Sequence, residues 1–418
     1  MTPYKNSERV VVTGIGAITP LGLTTAETWD NLVEGRSGIA EITSFDVTDL
    51  PVRIAGEVKG FDPQQYMDYK ESKRMARFSQ FAVAAASMAL ADAGLAVNDG
   101  NADRVGAVIN TGGGGFPETY DESLRMQRRG AARVSPFWVP IMAPNMASCQ
   151  PSIVLGLRGP IITGVAACAS SVYAFADAYH ILRRNEADAL LVGGAEAGLS
   201  ALTIAALANM QALSKNNEDP QGASRPFDRD RDGFVLGEGS VVMVVEQERH
   251  ALNRGARILA EIVGGAITGD AYHITMPAPQ GAGAARAMQQ ALAVGDVKPQ
   301  EVDYICAHGT GTPLNDVAET AAIKQTFGKH AKNLAISSPK SMVGHLLGAA
   351  GALSALVSIM AIVKGIVTPT INLDHPDPAC DLDYIPHCAR HMAVRTAMIN
   401  GFGFGGQNAV TIFRAYDG

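Results

Sequence analysis

Short apolar runs alternate with helical patterns along the whole chain. RVVVTGIGA (Arg9–Ala17), RVGAVINTGGGG (Arg104–Gly115) and DALLVGGAEA (Asp188–Ala197) each predict a buried strand that closes on a glycine turn. Val241–Glu246, Val302–Ala307 and Leu334–Ser337 predict further strands, and Met398–Phe413 reads as strand, Gly-rich turn (GFGFGG) and strand. Between them Ser72–Ala93, Ser170–Arg184 and Gly283–Ala293 have helical spacing. Buried strands alternating with helices predict an α/β fold in layers.

Two halves share an order of events. Each has strands and helices, then a reactive residue at a strand-to-helix junction, then a long helix of small residues. This predicts a duplicated core with its break near residues 250–260, although no sequence repeat is visible. Thr111–Pro160 reads as a long irregular segment carrying Phe137, Trp138, Pro140 and Pro144. It either packs on the core as an ordered loop or caps a hydrophobic channel. Leu346–Val363 is apolar over a length near the lower limit for a membrane span. Its Gly and Ala content and its two serines predict a helix buried on all sides instead.

Composition narrows the class. The 418 residues are 47% hydrophobic and 18% charged, with 44 glycines, as expected of a compact enzyme with many tight turns. A net charge of −7 argues against nucleic acid as the main partner. Five cysteines, an odd count without a CxxC pair, argue against a disulfide framework and for a cytoplasmic location. Met1–Arg9 is polar and carries no apolar signal core.

Candidate chemistry falls at three places. Cys168 in VAACASSVYAF follows a β-type run and precedes a helical pattern. Small neighbours permit a tight strand-to-helix turn that exposes a nucleophile, and the helix N-terminus favours thiolate. On this segment alone, a small core Cys is the stronger reading. His308 ends a strand in ICAHGTGTP, and His345 stands five residues after Lys340 in KSMVGHLLGAAG. Two imidazoles at such turns, amid Gly and hydroxyl residues, point to function. Asn400, Phe402 and Phe404 lie in NGFGFGGQNA, where two aromatics among glycines form either a swinging loop or a packed bulge.

Three patterns fail. VVTGIGAIT places Thr19 where a dinucleotide fingerprint needs its last small residue, and TGGGG lacks the GK[ST] of a phosphate loop. Cys380, His387, Cys388 and His391 do not have zinc-finger spacing, so no metal is expected. A basic cluster, Lys70, Lys73, Arg74 and Arg77, lies on a predicted helix with only Glu71 among it; it is either a solvated face or a patch for an acidic partner.

At AACASS, SRPFDRDRDGFVLGEG (Ser224–Gly239), HGTGTP, KSMVGHLLGAAG and GFGFGG the chain resembles the β-ketoacyl-acyl-carrier-protein synthases, most closely the type II enzyme of fatty acid synthesis. The resemblance covers essentially the whole chain. It implies a thiolase-like, five-layered α-β-α-β-α core of two related halves, 1–255 with the nucleophile and the cap and dimer region, and 256–418 with both histidines and the gating loop. It implies a homodimer, an acyl-carrier protein as partner, and substrates carried on phosphopantetheine with no other cofactor. Cys168 matches the acylated nucleophile, His308 and His345 the residues acting on the malonyl group, and Lys340 the active-site lysine. Glu319 matches the acidic residue after the first His motif, Phe404 the gating phenylalanine with Phe402 beside it, and Thr310 and Thr312 the contacts of the phosphopantetheine arm. Phe137 and Trp138 are expected at the substrate, and Arg133 and Lys215 where the family has further basic contacts to the carrier.

The implied reaction is a decarboxylative condensation of an acyl thioester with malonyl-carrier protein, giving 3-oxoacyl-carrier protein and CO2. GGQN, with Gln407 in place of the usual Thr, AACASS and the glycines of TGGGG depart from the family pattern and leave chain-length preference open. A ketosynthase of a type II polyketide or polyene pathway, paired with a chain-length subunit, is the main alternative. A non-catalytic chain-length partner is disfavoured by Cys168, and a cysteine hydrolase by the absence of the C-G-[SA]-C-[WY] signature.

Overall fold

The computed structural model describes residues 8–418; most of the polar N-terminal stretch, residues 1–7, lies outside the described residues. Ten strands form the frame. In the first half they are β1 (Val10–Ile18), β2 (Val105–Asn110), β3 (Ile161–Ile162), β4 (Ala189–Glu196) and β5 (Gly239–Gln247). In the second they are β6 (Ala260–Gly269), β7 (Tyr304–Cys306), β8 (Ala335–Ser337), β9 (Thr396–Gly403) and β10 (Gln407–Arg414).

The order across the first half is β3-β2-β4-β5-β1, and across the second β8-β7-β9-β10-β6, the same pattern five strands later. The sense of pairing repeats too. β2 and β4 run parallel, as do β7 and β9, while β4–β5 and β9–β10 are antiparallel. A short antiparallel contact, Val10↔Ile262 to Val12↔Ala260, joins the halves.

Seven helices of ten or more residues complete the layers: α1 (Arg77–Ala93), α2 (Phe116–Arg129), α3 (Met146–Leu155), α4 (Ser170–Arg183), α5 (Ala282–Val294), α6 (Pro313–Phe327) and α7 (Ala350–Lys364). Helices α1 and α3 cover the first sheet, α5 and α6 the second, and α4 and α7 lie between, each touching strands of both halves. This is the five-layered arrangement, and it explains the apolar run at 346–363. Helix α7 is buried from Ala350 to Ile359 because it has a sheet on either side, not because it meets lipid. The glycines of VVTGIGAIT have a packing role: a Cβ on Gly16 would overlap the Ala85 carbonyl of α1. Alanine-rich α1 presses directly on β1.

Two expectations need correction, and one strand is new. The predicted helix Ser72–Ala93 is broken: Tyr69–Ser72 forms one turn, and α1 starts afresh at Arg77. Thr111–Pro160 is mostly helical, holding α2, a short helix at Trp138–Met142 and α3. Its helices escaped notice because α2 is polar on most of its surface and is flanked by Gly115 and Gly130. Strand β6, between two glycine-bearing turns, was not anticipated.

Candidate active site

Two turns of the same shape bring the chemistry together. Residue Ala167 has φ +47° and opens a 3-10 turn, Ala167–Ala169, that runs into α4. Leu347 has φ +43° and opens the turn Leu347–Ala349 that runs into α7. Cys168 occupies the middle of the first turn and Gly348 the middle of the second. The left-handed backbone at Ala167 is the strain expected of an elbow that lifts a side chain away from its strand.

Cys168, His308 and His345 line one pocket of about 380 Å³, together with Thr310, Thr312, Phe402 and Phe404. The imidazoles of His308 and His345 are edge to face, with centroids 5.5 Å apart, and the Phe402 ring also lies 5.5 Å from His308. The sulfur is 8% exposed by residue, and both histidines are more deeply buried. The sequence residues assigned to the thiol, the imidazoles, the threonine pair and the Gly-Phe loop are thus gathered at one place.

Each imidazole is held by its own device. The Leu347 N–H donates to His345 Nδ1 at 3.2 Å, which leaves the ring proton on Nε2, and that atom is buried without a partner. Glu319 fixes the His308 turn: its carboxylate accepts from the backbone N–H of His308 and of Gly309, both at 2.8 Å, and from Asn400 Nδ2 at 2.9 Å. Asp316, not singled out from sequence, accepts from the N–H groups of Thr310, Gly311 and Phe227. A signal for it exists, since an acidic residue in the first turn of a helix can also gather the loop before that helix.

Electrostatics set the protonation. Burial lowers His308 and His345 well below the usual imidazole range, and the Lys340 ammonium lowers both further. Lys340 is itself buried and lowered by burial, against the opposing pull of Cys306, Glu319 and Cys168. Burial pushes the Cys168 thiol up to about 11, while Lys340 and the N–H groups of Phe404 and Cys168, directed at the sulfur, act in the other direction. The expected favouring of thiolate is therefore reversed at rest, because desolvation outweighs the turn's N–H groups.

The Phe404 loop reaches the elbow because Gly403 has no side chain. A Cβ there would lie 2.5 Å from Ala166 O and 3.3 Å from Cys168 N. Gln407, on the far side of this loop, opens β10 and pairs with Gly403.

Other expected residues lie elsewhere. Phe137 and Trp138 do not line the Cys168 pocket; Phe137 is exposed and stacks under the Arg74 guanidinium at 4.5 Å. Their helix, Trp138–Met142, packs against α2 and α3 and not over the thiol. Arg77, expected in the basic cluster, has an internal partner: it grips the buried Glu238 carboxylate through Nε and Nη2 and donates to Val58 O at 2.7 Å. Lys70, Lys73, Arg74, Arg133 and Lys215 are exposed.

Sequence reasoning also missed Glu196, a fully buried carboxylate at the end of β4 that accepts from Gly112 N–H at 2.6 Å and Gly348 N–H at 2.9 Å. The signal was a lone Glu ending an apolar strand.

Comparison with known proteins agrees with this geometry. Residues 7–251 match the family model "Beta-ketoacyl synthase, N-terminal domain" and residues 259–374 match "Beta-ketoacyl synthase, C-terminal domain". The 3-oxoacyl-[acyl-carrier-protein] synthase 2 of Synechocystis sp. is 51% identical over 409 residues, 98% of either chain. The protein of the same name from Staphylococcus aureus is 46% identical over 412 residues, 98% of this chain and 99% of that one. Among solved structures, a type II polyketide ketosynthase in complex with its acyl-carrier protein has a TM-score of 0.91 at 32% identity, covering 99% of this chain and 100% of that one. Two domain models in sequence, full-length relatives and a shared fold lead to one conclusion: the chain belongs to the beta-ketoacyl synthase family.

Proposed function

We propose that the protein is a 3-oxoacyl-acyl-carrier-protein synthase that elongates an acyl chain by decarboxylative condensation with malonyl-carrier protein. The observation that carries this reading is the convergence of one thiol and two neutral imidazoles in a single pocket.

In the first half-reaction the Cys168 sulfur attacks the carrier thioester carbonyl. The new C–S bond forms, the carrier's thiolate leaves, and the proton lost from Cys168 goes to that thiolate. The N–H groups of Cys168 and Phe404, which both favour the thiolate, hold the oxyanion of the tetrahedral intermediate. In the second, malonyl thioester loses CO2, and the electrons of the broken C–C bond pass to the thioester oxygen as an enolate. His345 Nε2–H has no other partner, and with the His308 imidazole it stabilises that charge. The carbanion attacks the acyl group on Cys168, and collapse of the adduct expels the sulfur as thiolate, which takes a proton from solvent. Lys340 acts through the two histidines by keeping them neutral.

The substrates ride on phosphopantetheine, and the reaction asks for no further cofactor. Thr310 and Thr312, whose hydroxyls lie 3.0 Å apart on the pocket wall, receive the arm. Arg74, Lys70, Lys73, Arg133 and Lys215 offer exposed positive charge to an acidic carrier. A second copy of the chain covers the exposed apolar side chains Phe116, Met126, Val139, Ile153 and Ile162, the last of them in β3 at the outer end of the sheet order. The division into halves falls at residues 255 and 256, and the site of action is the cytoplasm.

Fatty acid elongation is favoured over polyketide assembly because the synthase 2 relatives are 46–51% identical, against 32% for the polyketide ketosynthase. The test is to incubate the purified protein with acyl- and malonyl-carrier protein and follow CO2 and product mass. Condensation by the protein alone is expected; activity only with an added related subunit supports the polyketide reading, and hydrolysis without elongation overturns both.

A further inference from the structure

Glu196 is a buried ionisable group beside the site that takes no part in the proposed chemistry. Glu196 is 0% exposed and meets neither the pocket nor a basic side chain. Its Oε2 accepts from Gly112 N–H at 2.6 Å and from Gly348 N–H at 2.9 Å; its Oε1 accepts from the Thr111 hydroxyl at 3.2 Å. These donors come from different halves of the molecule. Thr111 and Gly112 follow β2, and Gly348 is the middle of the turn before α7.

Short chains of contacts lead from these donors to two reacting groups. On the first side, Thr111 O lies 3.0 Å from Ser170 Oγ, which accepts from Ala166 N–H at 2.8 Å and lies 2.7 Å from Ala167 O. Ser170 thereby spans the elbow that carries Cys168. On the second side, Gly348 follows Leu347, whose N–H fixes the His345 tautomer. The two loops touch so closely that a Cβ on Gly348 would overlap Gly112 N. One carboxylate therefore joins the thiol's turn to the imidazole's turn.

We propose that Glu196 is a positioning residue that clasps the Cys168 elbow to the His345 turn, so that both half-reactions depend on a group that never touches substrate. This rests on the condensing function proposed above. Two further observations agree with it. Burial raises the Glu196 carboxyl to about 7 against the pull of its N–H and hydroxyl donors, so the clasp sits near the edge of its charged form at neutral pH. Its charge also reaches the sulfur, raising the Cys168 thiol.

The experiment uses Glu196→Gln and Glu196→Asp in the full chain. It reads acyl transfer to Cys168 by intact mass, CO2 release from malonyl-carrier protein, and the pH dependence of Cys168 alkylation. Gln can keep its amide oxygen on Gly112 and Gly348, but it loses the negative charge, and its NH2 group replaces the acceptor to which the Thr111 hydroxyl donates. We expect both half-reactions to fall at least about tenfold, a loss of about 1.4 kcal/mol in transition-state stabilisation, with the alkylation profile moved to lower pH because a negative charge has gone. Asp keeps the charge but does not span both glycines; we expect both rates to fall less than in Gln, with the alkylation profile near that of wild type. A folded Gln variant with both rates within twofold of wild type overturns the proposal. If Gln does not fold, a folded Asp variant with unchanged rates overturns it. If wild type itself releases no CO2, the condensing function fails instead, and the alkylation shift still tests the influence of the Glu196 charge on Cys168.

Discussion

The Leu347 amide donates to Nδ1 of His345, and this bond decides where the imidazole proton resides. With Nδ1 occupied as acceptor, Nε2 carries the hydrogen and is buried without a partner in a residue that lines the pocket. A donor held in advance at the place where charge develops needs no reorganisation during reaction.

Removing that donor should separate the half-reactions. His345→Ala is expected to slow CO2 release from malonyl-carrier protein about 10²–10³-fold, as for loss of one oxyanion donor. Acylation of Cys168, read by intact mass, should persist.

A thiol at about 11 makes a clear kinetic statement. Between pH 7 and 10, Cys168 alkylation by a small haloacetamide should rise about tenfold per pH unit, following the thiolate fraction. Lys340→Ala removes a charge that favours thiolate and should slow alkylation at pH 8. It should also release His308 and His345 upward toward 6.5, so that imidazole titration by NMR moves to higher pH. Unchanged alkylation, decarboxylation and condensation would rule out the role given to Lys340.

The two depressed imidazoles link stability to pH. Their pKa values lie well below the unfolded value, so the unfolded chain binds protons first as pH falls. The stability they contribute is present above about pH 6.5 and is lost as pH falls through the depressed folded values. Thermal melts should fall from pH 7 toward pH 5, and His345→Asn should flatten that slope.

Arg74 and Arg77 should behave differently despite their spacing. Arg74→Glu is expected to raise KM for carrier-bound substrate and leave a small thioester mimic unaffected. Arg77→Ala should instead lower stability by roughly 1–3 kcal/mol, because buried Glu238 loses its guanidinium partner. Paired denaturant titrations and kinetics distinguish the two.

Gly403→Ala tests the approach of the Phe404 loop. The added methyl meets Ala166 O and should drive the loop away from the elbow, at a cost of about 1–3 kcal/mol if the fold absorbs it. Acyl transfer should fall more than malonyl decarboxylation.

Much of the site could be read from the chain because its parts sit on local motifs. Cys168, His308 and His345 each stand at a strand-to-helix turn whose small residues are visible in sequence, and Phe402 and Phe404 lie between glycines that mark the turn joining two strands. What escaped was set by distant contacts. Arg77 looked free until β5's neighbour Glu238 was placed beside it. Phe137 and Trp138 looked like channel walls until their helix packed elsewhere. Glu196 drew no attention because its three donors come from segments far apart in sequence. The thiol's protonation depended on burial depth, which no local motif encodes.

The paired turns before α4 and α7 have a further implication for stoichiometry. The scaffold repeats, but its reactive positions do not: a sulfur fills one, and the close approach of Gly112 leaves room for no side chain at the other. Each copy of the chain can thus load a single acyl group on this pair of turns, so an acyl donor in excess should add one mass increment per polypeptide and stop.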